Sequence, residues 1–137
     1  MEYFIKAIST SKNDASLNIK ENEIMFGITP ESSANLPNPA ELFLGSFSAC
    51  ILKNVERFSI LMNFKYSNAE ILVRAIRLEK PPRMDKISYE LKVYSQDNNL
   101  NINLLKKNIE KFGTIFNTVN SSCSVIGEIK KIPEQKR

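Results

Sequence analysis

The sequence predicts an α+β fold in the order β-β-β-α-β-β-α-β, with a long buried helix covered jointly by two copies of the chain in an intertwined homodimer. Three observations carry this reading. Short runs of β-favouring residues alternate with polar turns near both ends of the chain. A helix start stands at Asn38-Pro39-Ala40-Glu41, ahead of a long unbroken run. An amphipathic stretch from Leu104 to Phe112 stops at Gly113.

Tyr3 to Ser9 reads as a first strand, followed by Ala15 to Ile19 and Glu23 to Ile28, with Lys20-Glu21-Asn22 as the polar turn between the last two. Thr29 to Pro37 is a Ser/Asn/Pro loop. Three signals then agree on a helix. Asn38 can cap it, Pro39 suits its first position, and Glu41 stands three residues after the cap. The helix should run to about Met62. Its first half carries Leu42, Phe43, Leu44, Phe47, Ala49, Cys50, Ile51 and Leu52, which is apolar nearly all round. A helix of that kind is buried on every side, and a second subunit is the natural cover.

Ala69 to Glu79 alternates as a strand, Pro81-Pro82-Arg83 breaks it, and Lys86 to Tyr94 resumes with Ile87, Tyr89, Leu91 and Val93 on one face. Gln96 to Asn99 is a turn. Leu104 to Phe112 forms a helix closed by Gly113, Thr114 to Asn120 a further helical turn, and Ile126 to Ile132 the last strand. With 137 residues and no linker, one domain is expected over residues 1–137.

Composition narrows the chemistry. Apolar residues make up 42% and charged residues 25%, ordinary globular values. The net charge of +4 is spread along the chain, without the basic stripe of a nucleic-acid binder, so no nucleic-acid partner is expected. No apolar run is long enough to span a bilayer, and Met1 to Ser9 lacks a signal-peptide pattern. The expectation is a cytoplasmic protein without a membrane partner, whose thiols are kept reduced. There is no His, which excludes Ser-His-Asp and Cys-His nucleophile activation and histidine metal sites. Two cysteines are too few for a structural Cys₄ zinc site, and no Gly-rich phosphate loop exists. No cofactor and no metal are expected. Thiols, carboxylates, Lys, Arg and Tyr remain.

Cys50 lies in the middle of the long helix. In apolar surroundings its thiolate needs a nearby cation, and Lys53 and Asn54, three and four positions on, do not read as thiolate partners. Cys123 follows Ser121 and Ser122, either of which could cap a short helical turn. That would place Cys123 at a helix N-terminus, where backbone N–H groups favour a thiolate. By base rate alone, two such cysteines are core fillers. By position, Glu41 is a capping carboxylate and Arg83 a solvated hairpin residue.

The segment Asn38-Pro39-Ala40-Glu41-Leu42-Phe43-Leu44-Gly45-Ser46-Phe47-Ser48-Ala49-Cys50 resembles the Pro-x-Glu-Leu-Leu…Ala-x-Cys helix of the OsmC/Ohr family. Ser122-Cys123-Ser124-Val125 is similar to that family's Cys-Pro-Val segment, with Ser124 where Pro is usual. Lys80-Pro81-Pro82-Arg83 fits its central hairpin. The resemblance implies an OsmC-like dimer that reduces organic or hydrogen peroxides. Cys50 would be the attacking thiolate, Cys123 the resolving thiol, and an external dithiol the reductant. It also makes Glu41 a candidate catalytic carboxylate. The family's N-terminal Arg has no counterpart here, since residues 1 to 56 contain none. Lys6, Arg74, Arg77 and Arg83 are the candidate replacements, Arg83 first among them because its hairpin could reach across a dimer. The alternatives are a non-catalytic protein of the same fold holding a small thiol or acyl ligand in an apolar interface pocket, and a purely structural or assembly role.

Overall fold

The computed structural model describes residues 1–134, which separate into two compact units, one over 1–43 and one from residue 44 onward. The first holds an antiparallel meander of β1 (Lys6–Ser9), β2 (Ala15–Ile19) and β3 (Asn22–Phe26), a short 3₁₀ turn at Glu31–Ala34, and the start of α1 (Pro39–Leu61). β2 and β3 pair from Ala15 opposite Phe26 to Ile19 opposite Asn22, and Lys20 turns the chain with a positive φ of 54°. That turn explains why β1 begins at Lys6 rather than Tyr3. Lys6 pairs with Asn18, and β2 ends one residue later, leaving nothing for Tyr3 and Phe4 to pair with. Ala15 is the one buried apolar residue of this unit. Ile5, Ile8, Ile24, Met25 and Ile28 are exposed.

The second unit contains the core. β4 (Asn68–Glu79), β5 (Pro82–Tyr94) and β6 (Val125–Ile132) form a sheet in that order, antiparallel between β4 and β5 and parallel between β5 and β6. A parallel neighbour requires a crossover. The crossover consists of α2 (Ile102–Phe112) and α3 (Thr114–Asn120). Thr114–Asn120 is thus a helix of its own, one more than the predicted order contains.

Ile87, Tyr89, Leu91 and Val93 all point into the core, as their alternation predicts. They meet Leu105 and Ile109 of α2, Phe116 and Val119 of α3, and one stripe of α1 formed by Phe47, Ile51, Val55 and Phe58. The stripe's spacing of three and four residues is that of a single helix face. The chain alone buries that face and leaves Phe43, Ile60 and Leu61 exposed. Gly113 does end α2, its N–H donating to the Ile109 carbonyl, but at φ −71° it is not the left-handed cap that a terminal glycine suggests. The chain instead runs directly into α3.

Candidate functional site

Cys50 stands one residue before Ile51 on α1, at the edge of the buried stripe. It is half-buried and packs against the core. One turn later is Asn54, only 8% exposed. Its Nδ2 group donates to the Cys50 carbonyl oxygen at 2.9 Å and to Cys50 Sγ at 3.7 Å. The sequence reading set Asn54 aside as a thiolate partner, yet it is the hydrogen-bond donor to this sulfur. Across from it lies Gly113. A Cβ there would stand 3.3 Å from Cys50 Sγ, 3.0 Å from Phe116 Cβ and 2.9 Å from the Ile109 carbonyl oxygen. Gly113 is therefore needed for space rather than for backbone conformation.

Cys123 also packs against the core but in a different setting. It follows α3, and its N–H donates to the carbonyl of Val119. The expectation of a helix N-terminus is overturned. Ser121 is the C-cap of α3, so the end nearest Cys123 presents carbonyls, and the free N–H groups lie at the other end. The thiol donates to the Met84 carbonyl at 3.3 Å. The next residue is anchored more firmly. Ser124 donates to Asp85 Oδ1 from its backbone N–H at 2.9 Å and its hydroxyl at 3.4 Å. These bonds, above all the backbone one, with help from the Lys86 N–H and nearby Arg83, hold the Asp85 carboxyl below the usual aspartate range. Asp85 borders a bulge, where β5 carries one more residue than β4 and Lys86 takes φ 50°.

Arg83 is exposed and closes its own turn, its Nη1 donating to the carbonyls of Lys80 at 3.3 Å and Pro81 at 3.4 Å. Glu41, in the first unit, completes a reciprocal cap. Its carboxylate accepts from the Asn38 N–H at 3.1 Å, and its own N–H donates to Asn38 Oδ1 at 2.8 Å. Cys50 and Cys123 are both free thiols on one core, with separate sulfur partners. Among the described residues no cluster of His, Cys, Asp or Glu could hold a metal ion. No helix among them is long and apolar enough to cross a membrane. A shallow cavity of about 300 Å³ opens over Leu72, Arg74, Ser88, Glu90, Ile126 and Glu128, and neither cysteine lines it.

Sequence reasoning missed Asn54, Gly113 and Asp85. Asn54 did carry a signal, since an amide within an apolar stripe must find a partner. Asp85 and Gly113 did not, because their roles depend on where distant segments return.

The arrangement offers one half-buried thiol in the middle of a long helix and a second thiol on a connecting turn. Several solved structures share the fold. The OsmC-like protein from Mycoplasma pneumoniae superimposes with a TM-score of 0.85 at 14% identity, over 96% of this chain and 98% of that one. An organic hydroperoxide resistance protein from Legionella pneumophila gives 0.66 at 13%, over 93% and 97%. The organic hydroperoxide resistance protein OhrB of Bacillus subtilis gives 0.60 at 17%, over 93% and 98%. No curated sequence matches closely enough to count as a relative. The family model for OsmC-like proteins matches residues 32–127, a span that contains Cys50, Arg83, Asp85, Gly113 and Cys123, and the chain therefore belongs to the OsmC-like family.

Proposed function

We propose that this protein reduces organic or hydrogen peroxides with its two cysteines, in defence against oxidative stress. The observation that carries the reading is Cys50 itself, a free thiol on the family's central helix with a hydrogen-bond donor directed at its sulfur. Family members of the same fold named for hydroperoxide resistance support it. The Cys50 thiolate attacks the peroxide O–O bond and an S–O bond forms. The alkoxide or hydroxide leaves and takes a proton from water, and Cys50 becomes a sulfenic acid. Cys123 attacks that sulfur, water leaves, and a disulfide forms. An external dithiol returns both cysteines to thiols by exchange. Glu41 acts here as the cap that fixes the start of α1, and Arg83 as a cation whose charge acts on Asp85, the carboxylate that anchors the residue after Cys123.

Peroxide consumption with dithiothreitol or dihydrolipoamide, wild type against Cys50→Ser, tests this. The variant should lose essentially all turnover, since no other nucleophile replaces a peroxidatic thiol. Equal consumption by both proteins would overturn the reading. One observation favours a second reading, a non-catalytic member that holds a small thiol or acyl ligand. Among the described residues, the Cys50 sulfur has a neutral amide and no cation as its hydrogen-bond partner. A ligand recovered with the purified protein, together with absent turnover, would select it.

The same reading includes an intertwined homodimer. The first unit buries only Ala15, and Ile5, Ile8, Ile24, Met25 and Phe43 are left to a second copy. We expect an interface above about 2,000 Å² and no stable monomer. A monomer at micromolar concentration in sedimentation would rule this out.

A further inference from the structure

We infer that Asn54 is the residue that activates Cys50, its carboxamide directing an N–H at the reacting sulfur in the place where a cation would be looked for. The inference rests on the peroxide-reduction reading of Cys50.

Asn54 is poorly suited to its position on every local ground. Asn is a weak former of helix interiors. Its neighbours in the stripe, Ile51 and Val55, are fully buried, and a buried amide is costly unless it is bonded. The bonds that offset this cost both end on Cys50. In any α-helix the carbonyl of residue 50 already accepts the backbone N–H of residue 54. The side-chain bond to that carbonyl is therefore not needed to hold the helix. It fixes the plane of the amide, and with the plane fixed Nδ2 stands 3.7 Å from Sγ. Gly113 confines the sulfur from across the core.

The two cations of α1 itself do not compete for this place. Lys53 is exposed, and the Arg57 guanidinium lies over the rings of Phe58 and Phe112, 5.4 and 6.0 Å from their centroids. In the attack, the thiolate forms the S–O bond, the O–O bond breaks, and the departing oxygen takes a proton from water. The Asn54 N–H stabilises the negative sulfur before attack and holds it in one orientation toward the incoming oxygen. It neither gives up nor takes a proton.

The test uses Cys123→Ser protein, so that Cys50 is the only thiol, and compares Asn54→Leu and Asn54→Asp with that parent. Two rates are read at one neutral pH, Cys50 alkylation by iodoacetamide and Cys50 oxidation by a hydroperoxide. Asn54→Leu is nearly isosteric and suits the apolar stripe, so it should unfold at or above the parent's midpoint. It should still react about tenfold more slowly in both assays, the loss expected for one long hydrogen bond to a charged atom. Asn54→Asp should be slower still, since it removes the donor and adds a like charge. A purely structural role for Asn54 would loosen the site and speed alkylation. Unchanged or faster alkylation in a folded Asn54→Leu protein overturns the inference. If the parent alkylates normally and does not react with peroxide, the proposed function fails, and the alkylation arm still decides the role of Asn54.

Discussion

Gly127→Ala should lower the unfolding free energy by roughly 1–3 kcal/mol, the range for overpacking a filled core. Gly127 stands on β6 directly opposite Tyr89 of β5, and the tyrosine ring lies over it. A Cβ at 127 would overlap ring carbons and stand 2.5 Å from the hydroxyl oxygen. The ring cannot simply move aside. It is 4% exposed, it packs 6.1 Å from the centroid of Phe47, and its hydroxyl donates to Glu110 at 3.1 Å. Glu110 is in turn paired with Lys106 one turn earlier on α2, at 3.1 Å. Burial, followed by the Glu110 charge and hydrogen bond, pushes the Tyr89 phenol well above its ordinary range, so it remains a donor throughout the working pH range. Swinging the ring away would break that bond and open a void beside Phe47. Chemical denaturation of Gly127→Ala measures the loss. In a Tyr89→Leu background the same substitution should cost clearly less, because the overlapping atoms are gone. Equal costs in the two backgrounds would show that the ring is not what forbids a side chain at 127.

Period and capping were legible in the sequence because they are local. The alternation of Ile87, Tyr89, Leu91 and Val93 marks the core face of β5, and all four are buried. Asn38 and Glu41 announce the reciprocal cap, and both bonds are present. Errors arose where a residue's meaning depends on the chain beyond its neighbours. Pro82 reads as a break, yet β5 begins there. β6 pairs with β5 only from Ile87 onward, so Pro82 sits at a strand start with one neighbouring strand, where a missing N–H costs little. Ser121 and Ser122 read as the cap of a following helix, yet they close the preceding one. Ser bonds backbone groups at either end of a helix, and direction comes only from the run it adjoins. Asn54 was visible at the right spacing from Cys50. What the sequence withheld was the orientation of its amide, set by the bond to the Cys50 carbonyl.

Cys123→Ser is expected to trap the first oxidation product. In wild type, mild peroxide should yield one intramolecular Cys50–Cys123 disulfide. In the variant, Cys50 should accumulate as sulfenic acid and then as the over-oxidised sulfinic form, because no resolving thiol intercepts it. Turnover with a dithiol should fall steeply, limited by how fast an external thiol can reach a half-buried sulfur. In the resting protein the two thiols serve different partners, Cys123 on the Met84 carbonyl and Cys50 beside Asn54 and Gly113. A disulfide requires Cα atoms within about 7 Å of one another, or a segment free to close the gap. The segment that would have to shift is the turn from Ser121 to Ser124, since Cys50 is fixed in the middle of a long helix. The turn's restraints are the thiol bond to Met84, the backbone bonds to Asn117 and Val119, the Ser121 and Ser122 hydroxyls on the carbonyls of Thr118 and Val119, the pair from Ser124 to Asp85, and the Ile87 N–H on the Ser124 carbonyl. Mass spectrometry after peroxide treatment, with a sulfenic-acid trap present, reads both proteins directly. A wild-type chain whose Cys50 stays reduced after several equivalents of peroxide would sink the two-cysteine mechanism. Sulfenic acid persisting equally in both proteins would instead leave Cys50 its role and remove Cys123 from the reaction.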